Sequence, residues 1–193
     1  MLMERGREQA RAWDEARIMA QADEAASSVL AATLPLMKAP PVDLGAVCRW
    51  LGFDVYARSC DAFGAVCVVR ADRRILMVNA AMSRARARFS IAHELGHVLL
   101  GHSTGTVALA LRDGWQERQA DRFAATLLMP QDLLEGEPSH ELGALSRRYC
   151  VSREAMGRRL RSLRIPVVVA PMRLGHRDAR GRSAIAHGAS CPD

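Results

Sequence analysis

The spacing of apolar positions changes several times along this chain, and those changes divide it into elements. Residues 1–34 are rich in alanine and charge, with Trp13, Ile18 and Val29-Leu30 as apolar docking points, and read as a helix or helix pair whose first dozen residues fray. Leu34-Pro35 and Ala39-Pro40-Pro41 form a rigid connection, because proline fixes its own φ and cannot continue a helix. Asp43 is placed to cap a short helix through Trp50, ended by Gly52, after which Phe53 to Tyr56 runs extended. Ala65 to Val69 and Ile75 to Val78 are β-type runs joined by Arg70-Ala71-Asp72-Arg73-Arg74, which predicts a hairpin.

Residues Asn79 to Arg88 read as a connection, with Arg84-Ala85-Arg86-Ala87-Arg88 a solvated face or a contact for acidic groups. Ser90 then offers an N-cap for a helix that Val98-Leu99-Leu100 carry on as a buried element. A second helix runs from Trp115, with Ala120, Phe123, Ala124, Leu127 and Leu128 at apolar spacing, until Pro130 stops it. Gln131 to Glu135 makes a further helical turn. Glu141 to Arg148 and Ser152 to Leu163 form a helix–turn–helix unit, the second stripe being Met156, Leu160 and Leu163. Pro166 to Val169 adds a short terminal strand, and from Pro171 onward the Gly, Ala, Ser and Arg content predicts disorder.

The chemistry lies in the first of the two central helices. His93-Glu94-Leu95-Gly96-His97 places two histidines four residues apart, on nearly one face, so that both imidazoles reach one ion. The glutamate between them points to the open side of that ion, where it can take a proton from water. Three specified positions recur by chance, but an apolar helix does not bury a carboxylate without a metal or a cleft to receive it. Gly96 costs about 1 kcal/mol relative to alanine in a helix, which predicts close packing there.

A catalytic ion of this kind needs a third protein ligand. The long histidine pattern requires glycine at position 100 and histidine at position 103, and Leu100 and Ser103 exclude it. His102, five residues after His97, falls off the metal face and just beyond the helix. Glu117 on the second helix is the stronger candidate. Asp121 shares its face and is placed to accept the other ring N–H of a ligand histidine. The plain alternative is a solvated stripe answering Arg118 and Arg122.

Ala92-His93-Glu94-Leu95-Gly96-His97, followed by a helix carrying Glu117, Ala120, Asp121, Phe123-Ala124-Ala125 and Leu127-Leu128-Met129-Pro130, resembles the ImmA/IrrE family of bacterial metallopeptidases. Arg88-Phe89-Ser90-Ile91, Pro40-Pro41-Val42-Asp43-Leu44 and Leu51-Gly52-Phe53-Asp54-Val55 extend the likeness, which runs from about Ala25 to Ile165. The resemblance implies a zinc protease that cleaves a helix-turn-helix repressor of the XRE type. It implies His93, His97 and Glu117 as zinc ligands and Glu94 as the catalytic carboxylate. The expected architecture is α+β: zincin-like helices on a small antiparallel sheet, with a helix-turn-helix-like C-terminal part. The expected divisions are an N-terminal helical extension over 1–24, a peptidase domain over 25–169 and a basic tail over 170–193.

Composition narrows the setting. The chain of 193 residues suits one domain, and no apolar run approaches the ~20 residues that span a bilayer. The first residues lack an apolar signal core, so the expected compartment is the cytoplasm, with no membrane partner. Five cysteines without a C-x-x-C pair argue against cysteine ligation of zinc; Cys48 and Cys67 read as core residues and Cys191 as an exposed thiol. The net charge of +6 resides in residues 142–193, which carry eleven arginines against three acidic residues. That region supports a rival expectation, a metal-bearing or DNA-binding regulator that acts by binding, although one such unit makes few base contacts without a dimer. For the oxyanion of the peptidase reading, His102, His140, Tyr56 and Tyr149 are the candidate donors.

Overall fold

The computed structural model describes residues 2–33, 39–59, 64–70, 73–102 and 114–168, with the side chains of α1 described from Asp14 onward. The Leu34-Pro35 connection, the Trp13 side chain, Cys60 and the tail from residue 169, with Cys191, lie outside these residues.

Among the described residues, seven helices and three strands follow in the order α1 (Leu2–Thr33), α2 (Leu44–Trp50), β1 (Asp54–Arg58), β2 (Ala65–Val69), β3 (Arg74–Asn79), α3 (Arg84–Leu99), α4 (Gly114–Leu128), α5 (Gln131–Glu135), α6 (Leu142–Arg148) and α7 (Arg153–Ser162). The α+β expectation therefore holds. α1 is a single helix that runs unbroken through residues 24 and 25, with Ala22, Ala26, Val29 and Leu30 in the core.

β2 and β3 form the expected antiparallel hairpin, with Cys67 opposite Leu76. The third strand corrects the expectation of a wholly antiparallel sheet. β1 pairs parallel with β3, Tyr56 opposite Met77, so the order is β1-β3-β2 and the sheet is mixed. The cause is the connection after β1, which skips the central place and leaves it to the return limb of the hairpin. β3 takes that place with Leu76 and Val78 buried, while all five residues of β1 stay exposed at the edge.

α3 also departs from expectation, because it begins at Arg84 rather than near Ser90. Ser83 is the N-cap: its extended backbone turns the hydroxyl to accept from Arg86 N. Arginine and alanine are strong helix formers, and nothing in Arg84-Ala85-Arg86-Ala87 resists propagation from that cap. The run read as a connection is thus the first turn and a half of the helix. Asp43 caps α2 as expected, accepting from Ala46 N at 3.0 Å, and Gly52 at φ +74 supplies the left-handed turn after it.

The core lies where α3 and α4 cross, with β2 and β3 against α3 and α1 against α4. Gly96 faces α4 at close range. A Cβ there would sit 3.0 Å from Phe123 Cδ1 and 3.2 Å from Ala120 Cα, so any other residue would force the two helices apart by a few tenths of an ångström. Cys48 and Cys67 are buried core residues, and Cys150 joins them, buried and outside any disulfide. Beyond α4, α6 and α7 complete the helix–turn–helix unit and bury Leu145, Tyr149, Met156 and Leu160 against the rest of the core. Of the expected terminal strand, whose last residue lies outside the described ones, the described residues show a parallel bridge between Glu141 and Val168.

Candidate metal centre

The crossing of α3 and α4 brings three potential ligand atoms together. His93 Nε2 lies 3.0 Å from His97 Nε2 and 3.1 Å from Glu117 Oε2, and His97 Nε2 lies 3.3 Å from Glu117 Oε1. Ligand atoms about 2.1 Å from one tetrahedral ion stand about 3.4 Å apart, so these separations fit a metal of zinc's size. Among the described residues, His93, His97 and Glu117 are the group able to hold a metal.

The rear nitrogens explain why these atoms face one another. His93 Nδ1 lies 2.9 Å from Asp121 Oδ1, and a carboxylate can only accept, so Nδ1 carries the proton and Nε2 the lone pair. His97 is oriented through a longer chain. Gln119 Nε2 donates to the Ile18 carbonyl at 2.8 Å, which turns its Oε1 toward His102 Nε2 at 2.9 Å. The N–H of a neutral His102 is then on Nε2, and its Nδ1 accepts from His97 Nδ1 at 2.9 Å. His97 is thereby also left with its lone pair on Nε2. Two imidazole lone pairs and a carboxylate so aimed repel unless a cation sits among them. The residues present therefore fit a divalent metal.

The proton is the metal's competitor at this point. Burial alone would lower the pKa of His93, but the hydrogen bond and charge of Asp121, then the charges of Glu117 and Glu94, outweigh it and hold that pKa above its ordinary value. Glu94 follows His93 on α3 and is buried, with 4% of its surface exposed, as the sequence pattern required. Trp115 stacks edge-on against His102 with ring centroids 5.5 Å apart and partly covers the chain at its outer end.

Of the four candidate oxyanion donors, only His102 reaches the histidine pair, and it does so behind His97. His140 Nε2 donates to the Leu134 carbonyl, and Tyr56 stands exposed on the edge strand β1. Tyr149 is fully buried at the end of α6; burial, then the neighbouring Glu137 carboxylate, push its pKa upward. Gln119 had no place in the sequence reading. Its signal was a polar residue one turn before Phe123, inside the apolar stripe of α4.

Residues 52–161 match the model of the peptidase M78 family, described as the IrrE N-terminal-like domain. That span covers more than half of the chain, and the chain belongs to this family of metallopeptidases. Among solved structures, a Mycobacterium tuberculosis transcriptional regulator matches with a TM-score of 0.53 at 20% identity, over 72% of this chain. The match spans 46% of that protein's length, and the likeness is one of fold. Curated proteins include no significant match to the chain. No described helix is long and apolar enough to cross a membrane.

Proposed function

We propose that the protein is a zinc-dependent endopeptidase that acts in the cytoplasm on an XRE-type helix-turn-helix repressor or a similar regulator, and so releases the genes it controls. The observation that carries this reading is the convergence of His93 Nε2, His97 Nε2 and a Glu117 carboxylate, each histidine having its other nitrogen engaged from behind. In the proposal His93, His97 and Glu117 hold the ion, and Asp121 and His102 set the ring orientations. A zinc ion held there would polarise the scissile carbonyl and lower the pKa of a water towards ~7. Glu94 takes the proton from the attacking water and returns it to the leaving amine. Its burial beside the two histidines supports that role, since an apolar helix does not bury a carboxylate without a use for it.

The test is direct. Zinc-loaded protein is incubated with a repressor encoded beside it, and intact masses are read. Two fragments whose masses sum to the repressor plus one water support the reading, provided that Glu94→Gln, still binding zinc, yields none. Zinc-loaded protein that leaves the repressor whole, yet shifts operator DNA with an affinity falling steeply with salt, would replace it with a regulator acting by binding.

A further inference from the structure

A cavity of about 740 Å³ lies beside the metal centre, between the first two turns of α3, α4, α7 and α1. Of the histidine pair and the carboxylates around it, only Asp121 borders this space. Five guanidinium groups line it, from Arg86, Arg118, Arg122, Arg158 and Arg159, against three carboxylates, from Glu15, Asp121 and Glu154. The lining residues thus carry an excess of two positive charges, one of which Asp23 answers from behind Arg122. Its remainder is largely apolar, through Met19, Phe89 and Ala125.

The arginines differ in how they are engaged. Arg122 is held by Asp23 through two hydrogen bonds of 2.8 and 2.7 Å. Arg118 faces Glu15 at 3.5 Å, and Arg158 pairs with Glu154 one turn away; all four side chains are more than half exposed. Arg159 is different. It is 4% exposed, Nε donates to the Met129 carbonyl at 3.1 Å, and buried Nη1 has no acceptor among the described residues. Arg86, capped at its backbone by Ser83, has no carboxylate partner among the described residues. Burial, then repulsion from Arg122, lower the pKa of Arg159 to about 10, Asp23 offsetting part of this, so it stays charged at neutral pH. Arg159 borders a space the size of ligand pockets, and a small rotation of its guanidinium would carry the covered, unused donor to an anion there.

We propose that this cavity is a binding site for a small organic dianion, its charged groups taken by Arg159 and Arg86 and its hydrocarbon part lying against Met19 and Phe89. Arg118, Arg122 and Arg158 each have a carboxylate partner, so the two remaining guanidinium groups, of Arg159 and Arg86, match the two charges of a dianion. A dicarboxylate and a phosphate monoester share this chemistry. The inference does not rest on the peptidase reading, since it uses neither the histidine pair nor Glu94.

The experiment is calorimetric titration of the zinc-loaded full chain at pH 7.5 and constant ionic strength, with phenyl phosphate and with glutarate. Saturable binding of either probe at one site is expected: phenyl phosphate alone identifies a phosphate head, glutarate alone a dicarboxylate, and both the shared chemistry. Arg86→Ala should weaken that binding about tenfold. Arg159→Met should abolish it, and if that variant does not fold, Arg159→Lys should weaken it while keeping the charge. No saturable binding by either probe overturns the proposal. Binding that Arg86→Ala leaves unchanged also overturns it, and would place the probe on the metal instead.

Discussion

The α3–α4 crossing and the α6–α7 corner are both helix pairs with charged residues on amphipathic helices, yet they use those residues in opposite directions. At the crossing, His93, His97, His102, Glu117 and Gln119 turn toward one another, and partners fix which nitrogen of each ring carries a proton. At the corner, most polar groups turn outward or serve the ends of helices: Glu141 accepts from Gly143 N, Ser152 from Ala155 N, and Arg158 pairs along the helix with Glu154, while Arg159 is an exception, buried and donating to the Met129 carbonyl. Polar side chains directed at each other inside a core are costly unless something completes the network. Polar side chains directed at water report solvation and capping. The difference separates the inward cluster at the crossing from the solvated faces of the corner, although both are rich in charge.

The largest expected effect falls on the crossing. Glu94→Gln should retain zinc at one equivalent per chain and reduce repressor cleavage about 10²–10⁴-fold, the range for loss of a general base. Cleavage surviving at the wild-type rate would remove Glu94 from the mechanism while leaving the metal site standing. The next effect tests whether the inward network serves the metal. Gln119→Leu leaves His102 Nε2 without its acceptor, so the tautomer of His97 is no longer enforced. Zinc affinity, measured by chelator competition, should fall about 10–100-fold. An unchanged affinity beside a lowered urea midpoint would reduce the chain to a packing device.

Two glycines sharpen the comparison further, because each sits inside a helix of one pair. At Gly96 an added methyl meets Phe123 and Ala120 at 3.0–3.2 Å, whereas at Gly157 of α7 the nearest atoms are Arg161 Nη1 at 3.5 Å and Leu142 Cδ1 at 3.7 Å. Gly96→Ala gains about 1 kcal/mol of helix propensity but forces apart a contact whose overpacking costs about 1–3 kcal/mol. The expected result is net destabilisation of about 1 kcal/mol in urea unfolding, with weaker zinc binding. Gly157→Ala meets ordinary contact distances and should stabilise by about 0.5–1 kcal/mol. Equal signs for the two would show that the helix spacing at Gly96 is not critical.

The zinc-type motif, the face shared by Glu117 and Asp121, the close packing at Gly96 and the cap at Asp43 were all legible, because each depends on local spacing or on the chemistry of one side chain. The start of α3 was not. Ser90 and Ser83 are both competent caps, and choosing between them depends on where β3 ends and the turn at Met82 begins. The parallel pairing of β1 was hidden because the pleat shows which residues share a face but not which strand lies next. The role of His102 escaped because helical rotation placed it off the metal face. That placement is correct, and it puts the ring behind His97, where only the position of Gln119 and the α1 backbone gives it a purpose.

The smallest effect concerns how the crossing is held from outside. Asp23 on α1 accepts two hydrogen bonds from Arg122 and one from Thr126 at 2.6 Å, which ties α1 to α4 beside the candidate metal centre. Burial alone would raise the pKa of Asp23, but the Arg122 and Thr126 hydrogen bonds and the charges of Arg122 and Arg159 outweigh it and leave the pKa lowered. A carboxylate whose folded pKa is depressed adds stability above its unfolded pKa, and that stability is lost as pH falls through the folded value. Asp23→Asn should therefore lower stability by about 1 kcal/mol at pH 7, the scale of a partly exposed ion pair with good geometry. The gap between variant and wild type should persist at pH 5 and close as pH drops below about 3.9, where wild-type Asp23 gains its own proton. Urea midpoints at a series of pH values measure it. A gap that stays constant down to pH 3 would mean that the tie acts through shape rather than charge. α1 would then hold the metal helices by packing Ala22 and Ala26, much as α6 and α7 hold their own corner.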